Sequence, residues 1–154
     1  MSPPIIIRHA HASDATAIAS LLGVYSPKGL LLARDKEDVL QHINNFYVAL
    51  CDSKVVGCVA LRDFGNALYE VRSLAVDEHF GGRGIGSKLV DYLLHHLPKD
   101  EKIRLFALTY RVDFFLRLGF KEVQKEIFPE KIWHDCRKCP KFDNCDEFAV
   151  AMTV

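Results

Sequence analysis

The stretch VRSLAVDEHFGGRGIGSKLV runs from Val71 to Val90. It begins with a strand-like apolar segment and an acidic turn. Four glycines within six residues follow, and then the start of a helical pattern. Glycine costs backbone entropy, so it is used where the chain turns left-handed or where another group approaches the backbone closely. A strand that leads through such a loop into a helix directs backbone N–H groups and the positive end of the helix at an anion. The stretch therefore predicts a phosphate-binding loop, with a tight structural turn as the simpler alternative.

The spacing of this loop differs from two common phosphate-binding motifs. Gly86 is followed by Ser87 and then Lys88, whereas the last glycine of a P-loop is followed directly by Lys and then Ser or Thr. The glycines also do not form a G-x-G-x-x-G pattern, and no repeated β-α-β pattern surrounds them. Both nucleotide-binding interpretations are therefore excluded.

Composition is that of an ordinary globular protein. The chain has 154 residues, is 49% hydrophobic and carries 20 basic and 20 acidic residues. We expect one domain over residues 1–154, large enough to bury a core without disulfides. The zero net charge argues against nucleic acid or a membrane surface as a partner. The apolar start, Ile5–Ile7, is too short for a signal peptide or a membrane span, which predicts a cytoplasmic protein.

Hydrophobic periodicity predicts the element order β, α, α, β, β, β, α, β, α, β, β, a mixed sheet with helices on its faces. Turns at Asp52-Ser53-Lys54 and Gly65-Asn66 join three of the strands into an antiparallel meander. The predicted strands and helices lie within residues 5–8, 13–22, 31–45, 46–76, 85–97, 103–108, 111–119, 121–127 and 146–154. The third range contains the second helix, and the fourth is the three-stranded meander.

The second predicted helix begins at Asp35, whose side chain is suited to cap the first free N–H groups. Its apolar positions are Val39, Leu40 and Ile43. We expect these three side chains to face the core.

The glycine loop and its strand resemble the acetyl-CoA-binding motif of the GNAT N-acetyltransferase superfamily. There a strand ending in LAV precedes a [QR]-x-x-G-x-[GA] loop and a helix, and Gly81 stands here where the family has Gln or Arg. The LGF of residues 118–120 and the strand order also match. The resemblance implies one GNAT-like α/β (α+β) domain with about seven strands, helices on both faces and a splayed central strand pair.

That family uses acetyl-CoA as co-substrate. The resemblance implies that loop amides bind the pyrophosphate, that free backbone groups of the strand bind the pantetheine arm, and that an amide near Leu74 polarises the thioester carbonyl. The implied cofactor-binding residues are Leu74, Ala75, Val76, Gly81, Gly82, Arg83, Gly84, Ile85, Gly86 and Ser87.

Acetyl transfer needs a base for the amine and an acid for the departing thiolate. Glu70, four residues before Leu74, is the candidate base, and the alternative is a structural carboxylate paired with Arg72 or Arg62. Many GNAT enzymes carry a tyrosine acid where Phe115 stands here. Tyr110 is the candidate replacement, with a packed tyrosine as the alternative.

Three further stretches, GLLLARDKEDVLQHINNFYVA, YEVRSLAV and LFALTYRVDFFLRLGF, are similar to the acetyltransferase domain of N-acetylglutamate synthases. This resemblance implies acetylation of L-glutamate in arginine biosynthesis. It also implies that Leu32, Arg34 and Ser73 contact the substrate and that Arg137, or its competitor Lys138, grips a carboxylate. Glutamate has two carboxylates, and each is well bound by an arginine fork.

A cysteine-rich segment at residues 131–147 includes a Cys-x2-Cys pair, which is a weak metal signal by itself. Zinc is one interpretation, and reversible thiol chemistry or structural cysteines are the others. The candidate ligands are His134, Cys136, Cys139 and Cys145.

The sequence leaves two other functions open. The first is a GNAT enzyme that acetylates another small amine, a peptide or a protein amine. The second is a non-catalytic module that senses acyl-CoA, metal or redox state. A homodimer is expected for each of these functions and for the glutamate acetyltransferase, because unpaired edge strands in such a sheet often find partners.

Overall fold

The computed structural model describes residues 4–25, 35–98, 102–109, 111–123 and 148–153. These residues form the predicted element order. The elements are β1 (Ile5–His9), α1 (Ala15–Tyr25), α2 (Lys36–Gln41), β2 (Phe46–Cys51), β3 (Lys54–Asp63), β4 (Leu68–Val76), α3 (Ile85–His95), β5 (Arg104–Thr109), α4 (Val112–Arg117), β6 (Lys121–Val123) and β7 (Phe148–Thr153). The strands follow the order β1-β2-β3-β4-β5-β7-β6 in one mixed sheet, as expected.

The chain divides into two compact units, so the single domain over residues 1–154 stays a prediction. The first unit is Met1–Leu61 with Val71–Leu97, and the second is Arg62–Glu70 with Pro98–Val154. None of the helices in the described ranges has the length and apolarity that a membrane span requires.

In the first unit, β1 and β3 both pair antiparallel with β2. The turn from β2 to β3 places Asp52 at φ 51° and Ser53 at φ 65°, the left-handed pair that a two-residue hairpin favours. This confirms the predicted turn. Helix α3 contacts β1 and β2, and α1 contacts α2.

The apolar pattern of α3 explains how this helix packs. Ile85, Leu89, Val90 and Leu93 are all buried, as expected for one stripe of a helix with 3.6 residues per turn. Ile85, Leu89 and Leu93 recur every four residues in the sequence, and this recurrence marks the buried face of the helix.

Helix α2 begins as predicted but is shorter. The Asp35 side chain accepts a hydrogen bond of 2.8 Å from the N–H of Asp38. Val39 is buried, whereas Leu40 is 37% exposed, so its predicted inward position is wrong. The helix ends at Gln41, and Ile43 is half-buried in a short 3-10 turn. Only one side of so short a helix meets the core, and Leu40 lies about 100° around the axis from Val39.

In the second unit, the start of β4 runs parallel to β5, and β5 and β6 both pair antiparallel with β7. The registered β4–β5 pairs are Leu68↔Arg104, Tyr69↔Leu105 and Glu70↔Phe106. Both strands continue after these three pairs, β4 to Val76 and β5 to Thr109. Leu68 and Phe106 form a small buried cluster, packed against Phe64, Val123 and Ala151.

Candidate functional site

Asp77 fixes the segment after β4 to strand β3. Its N–H donates a 2.8 Å hydrogen bond to the carbonyl of Val56, and its carboxylate accepts a 2.9 Å bond from the N–H of His79. The second bond caps the 3-10 turn Glu78–Phe80. The chain therefore enters the glycine loop from a fixed point.

Two of the loop glycines need their residue type because of backbone conformation. Gly82 has φ 79° and Gly84 has φ 71°, a left-handed region that costs an L-residue about 1–2 kcal/mol. A Cβ atom at either position would meet nothing within 4 Å. The space beside these two residues is thus open, as binding of a ligand to the backbone would require.

Gly81 differs from its two neighbours. Its φ of −61° and ψ of 151° are accessible to any residue. A Cβ atom there would lie 3.5 Å from the carbonyl oxygen of Glu78, an ordinary contact. Backbone geometry therefore does not require glycine at position 81, where this chain departs from the GNAT motif.

The loop leads directly into the N-terminus of α3. Gly84 is the N-cap residue, and its carbonyl accepts a 3.0 Å hydrogen bond from the N–H of Lys88. The amides of Ile85, Gly86 and Ser87 come before that bond, in the turn whose N–H groups have no acceptor inside the helix. Together with the helix dipole they favour a bound anion.

Positive charge is present at this loop although the whole chain is neutral. The Arg83 guanidinium carbon lies 5.0 Å from the centre of the Phe80 ring, a cation–π distance that orders the side chain. Arg83 and Lys88 are both exposed. The loop thus combines backbone donors with local cations, which is the chemistry of a phosphate site.

β4 contains a backbone conformation that the sequence pattern does not reveal. Ser73 has φ 54° in the middle of the strand, where a non-glycine residue is rarely left-handed. Its carbonyl accepts a hydrogen bond from the Cys58 thiol, with sulfur and oxygen 3.4 Å apart. Leu74 and Val76 are half-buried and Ala75 is buried.

In the second unit, Glu70 is only 2% exposed. It belongs to β4 and is paired with Phe106 in the short parallel ladder. A carboxylate so well removed from solvent on a central strand is not an ordinary surface charge. Its role as base stays a prediction.

Several predicted site residues lie outside the described residues, so their roles also stay predictions. They are Leu32, Arg34, Tyr110, Arg137, His134, Cys136, Cys139 and Cys145. Within the ranges that the structure does describe, there is no group of three or more His, Cys, Asp or Glu side chains that could hold a metal ion. The N–H of Arg111, the residue after Tyr110 in the sequence, donates a 2.7 Å hydrogen bond to Thr109 Oγ1.

Comparison with known proteins agrees with this geometry. Residues 42–122 match the family model described as an acetyltransferase (GNAT) domain. An uncharacterized N-acetyltransferase of Chlorobaculum tepidum is 41% identical over 96% of this chain and 96% of its own length. An amino-acid acetyltransferase of Mycobacterium tuberculosis is 36% identical over 81% of this chain and 76% of its own length.

The fold is also that of a solved acetyltransferase. The N-acetylglutamate synthase of Neisseria gonorrhoeae, in complex with coenzyme A and N-acetyl-glutamate, superposes with a TM-score of 0.83 and 26% identity. The match covers 99% of this chain and 36% of the synthase chain. From the glycine loop, the fold and these matches together, the chain belongs to the GNAT acetyltransferase family.

Proposed function

We propose that this protein transfers the acetyl group of acetyl-CoA to the α-amino group of L-glutamate. The observation that carries the proposal is the loop in which left-handed Gly82 and Gly84 lead from β4 into the N-terminus of α3. The amino-acid acetyltransferase of Mycobacterium tuberculosis and the synthase bound to coenzyme A and N-acetyl-glutamate support glutamate as the acceptor.

The first step is binding of acetyl-CoA. Its pyrophosphate binds the loop from Gly81 to Ser87, where backbone amides and the start of α3 favour an anion. Arg83 adds a cation at the same loop. Because main-chain groups supply most of the donors, glycine in place of Gln or Arg at position 81 weakens binding only modestly.

The second step is alignment of the thioester. Backbone groups of Leu74, Ala75 and Val76 bind the pantetheine arm. The N–H of Leu74 donates to the thioester carbonyl oxygen. Donors that are already in place when negative charge develops on that oxygen lower the barrier without further reorganisation.

The third step is the transfer itself. Glu70 takes a proton from the glutamate ammonium group, directly or through a water molecule, and the free nitrogen attacks the thioester carbon. The new C–N bond forms as the C–S bond breaks, and the electron pair of that bond leaves with sulfur. Tyr110 gives its proton to the CoA thiolate and regains a proton from the second one that the attacking nitrogen loses as the amide forms. Glu70 returns its proton to solvent.

Glutamate is held by its two carboxylates. Arg34 and Arg137 each bind one carboxylate through a guanidinium fork, and Leu32 and Ser73 contact the rest of the molecule. The product is the acetylated glutamate that opens arginine biosynthesis. A cytoplasmic location, a homodimer, and zinc at the cysteine-rich segment stay predictions.

The experiment that tests the acceptor is thiol release from acetyl-CoA with a panel of L-amino acids. We expect glutamate to give the highest kcat/KM, and aspartate and glutamine to give much lower values because one carboxylate is misplaced or uncharged. A faster reaction with another amine would replace glutamate as the acceptor. Saturable acetyl-CoA binding without turnover of any amine would support the non-catalytic alternative. Running the panel with and without a chelator also tests the zinc prediction.

A further inference from the structure

The part of β4 that follows Glu70 contains one residue in an unfavourable backbone conformation. Ser73 has φ 54° and lies within β4, where the residues on either side are extended. Such a residue persists only when its surroundings hold it, and strain of this kind is concentrated at functional sites. The question is which group holds Ser73.

The thiol of Cys58 is a group that holds Ser73 in this conformation. Cys58 lies in β3, is fully buried, and donates a hydrogen bond from Sγ to the carbonyl oxygen of Ser73 at 3.4 Å. A thiol is a weak donor. The Cys58 thiol is buried, however, and a hydrogen bond in the protein interior is electrostatically stronger than one in water. The contact therefore favours the orientation of the Ser73 carbonyl that the left-handed conformation produces.

The orientation of this carbonyl also determines the orientation of the next amide. The carbonyl of Ser73 and the N–H of Leu74 belong to one planar peptide group, which is trans because the described residues contain no cis peptide bond. In a trans peptide group the C=O and N–H bonds point in opposite directions. When the Ser73 oxygen is held toward Cys58, the Leu74 N–H points away from Cys58.

We propose that Cys58 is a positioning residue for acetyl-CoA, whose thiol holds the Ser73 carbonyl and thereby aims the Leu74 N–H at the thioester oxygen. This inference rests on the proposed acetyl-CoA site. It assigns Cys58 no contact with substrate or cofactor. The predicted effect is specific to the acetyl group, because CoA without an acetyl group offers no thioester oxygen to this amide.

Binding measurements separate this role from a purely structural one. In Cys58→Ala, we expect about 3- to 10-fold weaker binding of acetyl-CoA by calorimetry, the range that one lost hydrogen bond produces. We expect the affinity for CoA to change by less than about twofold, within the scatter of a neutral substitution. In Cys58→Ser, a hydroxyl donor replaces the thiol, and most of the acetyl-CoA affinity returns. A cavity effect alone would weaken both ligands equally.

A double-mutant cycle with Ser73 tests whether the effect passes through the left-handed residue. Glycine adopts positive φ without steric cost, so Ser73→Gly makes the support from Cys58 unnecessary. Adding Cys58→Ala to Ser73→Gly should therefore change acetyl-CoA affinity by less than about twofold, a non-additive result. An undiminished loss in the double mutant would overturn the proposal, as would unchanged acetyl-CoA affinity in Cys58→Ala.

Cys51 provides the matched control. It is also a buried free cysteine, in β2 and 6% exposed. Cys51→Ala should lower the melting temperature without changing the ratio of acetyl-CoA to CoA affinity. Neither ligand requires an acceptor amine, so the result does not depend on glutamate. Failure of the wild-type protein to bind acetyl-CoA would overturn both proposals, whereas equal binding by wild type and Cys58→Ala would overturn only the role of Cys58.

Discussion

Gly57 in β3 lies directly under Ile85, the first residue of α3. A Cβ atom at Gly57 would come 3.1 Å from Cγ2 of Ile85 and 3.1 Å from Cδ1 of Leu89, closer than well-packed carbon atoms normally approach. The absence of a side chain at Gly57 therefore lets the start of α3 pack close to β3. The helix N-terminus that ends the glycine loop is positioned by this contact.

Gly57→Val should destabilise the protein and weaken CoA binding together. Two extra methyl groups and the Cβ atom must displace Ile85 and Leu89, and overpacking of this kind costs about 1–3 kcal/mol. Urea unfolding measures the free energy, and calorimetry measures the CoA affinity. Gly23→Val is the control, because a Cβ atom at Gly23 would meet nothing within 4 Å. Unchanged CoA affinity in Gly57→Val would show that the contact does not position the loop.

Gly84→Ala should reduce CoA affinity through backbone conformation alone. Alanine at φ 71° costs about 1–2 kcal/mol, and relief of that strain rotates the amides at the start of α3. The matched control is Gly81→Ala, because the φ of −61° at Gly81 suits alanine. We expect a lower free energy of unfolding and weaker CoA binding in Gly84→Ala only. Equal losses in the two variants would contradict a role for left-handed geometry.

Asp14 should make folding stability depend on pH. Burial opposes ionisation of this carboxyl group, but hydrogen bonds from Arg8 and from the His11 N–H, with the Arg8 charge, outweigh burial and lower the pKa of Asp14 below 3.8. The Arg8 Nη1 to Asp14 Oδ2 distance is 2.8 Å. A group with a lowered folded-state pKa stabilises fully above its unfolded-state pKa, and this contribution is lost as pH falls through the folded-state pKa.

Asp14→Asn should therefore lower the free energy of unfolding at pH 7 by about 1–3 kcal/mol, the cost of leaving a partly buried charged group without its acceptor. The difference from wild type should shrink as pH falls below 3.8. Denaturant unfolding at several pH values measures it. Asp91→Asn, an exposed position on α3, should show no such difference. If the loss of unfolding free energy in Asp14→Asn stayed constant down to acid pH, the ion pair would not be its origin.

Glu70→Gln should remove turnover while leaving acetyl-CoA affinity intact. Glutamine has nearly the shape of glutamate but is not a base, and loss of a positioned general base costs about 10²- to 10⁴-fold in kcat. Thiol release and calorimetry on the same preparation measure the two quantities. Parallel loss of both would assign a structural role to this buried carboxylate, and unchanged turnover would remove Glu70 as the base.

The order of strands and helices followed from the sequence because each element has a strong local signal. The four-residue recurrence in α3 and the Asp35 cap are contained within a few consecutive residues. Leu40 was misassigned because its burial depends on where α2 ends. That boundary reflects the turn at Ile43–Asn45 and not the hydrophobic pattern alone.

The fine geometry of the site was less predictable. Ser73 is left-handed and accepts a hydrogen bond from Cys58, which lies 15 positions earlier in the chain. No local sequence motif signals a contact between residues so far apart. The Arg8–Asp14 ion pair was missed for a related reason. Arg8 belongs to β1 and Asp14 lies six positions later, where its carboxylate accepts from both the Arg8 side chain and the His11 N–H.

A competition assay with acetyl-CoA and an equimolar mixture of L-amino acids tests whether glutamate is the acceptor. Mass spectrometry then identifies the acetylated product. We expect N-acetyl-L-glutamate to accumulate ahead of every other product and its formation to stop in Glu70→Gln. Accumulation of a different acetylated amine, or of none while acetyl-CoA still binds, would contradict the assignment of glutamate as the acceptor.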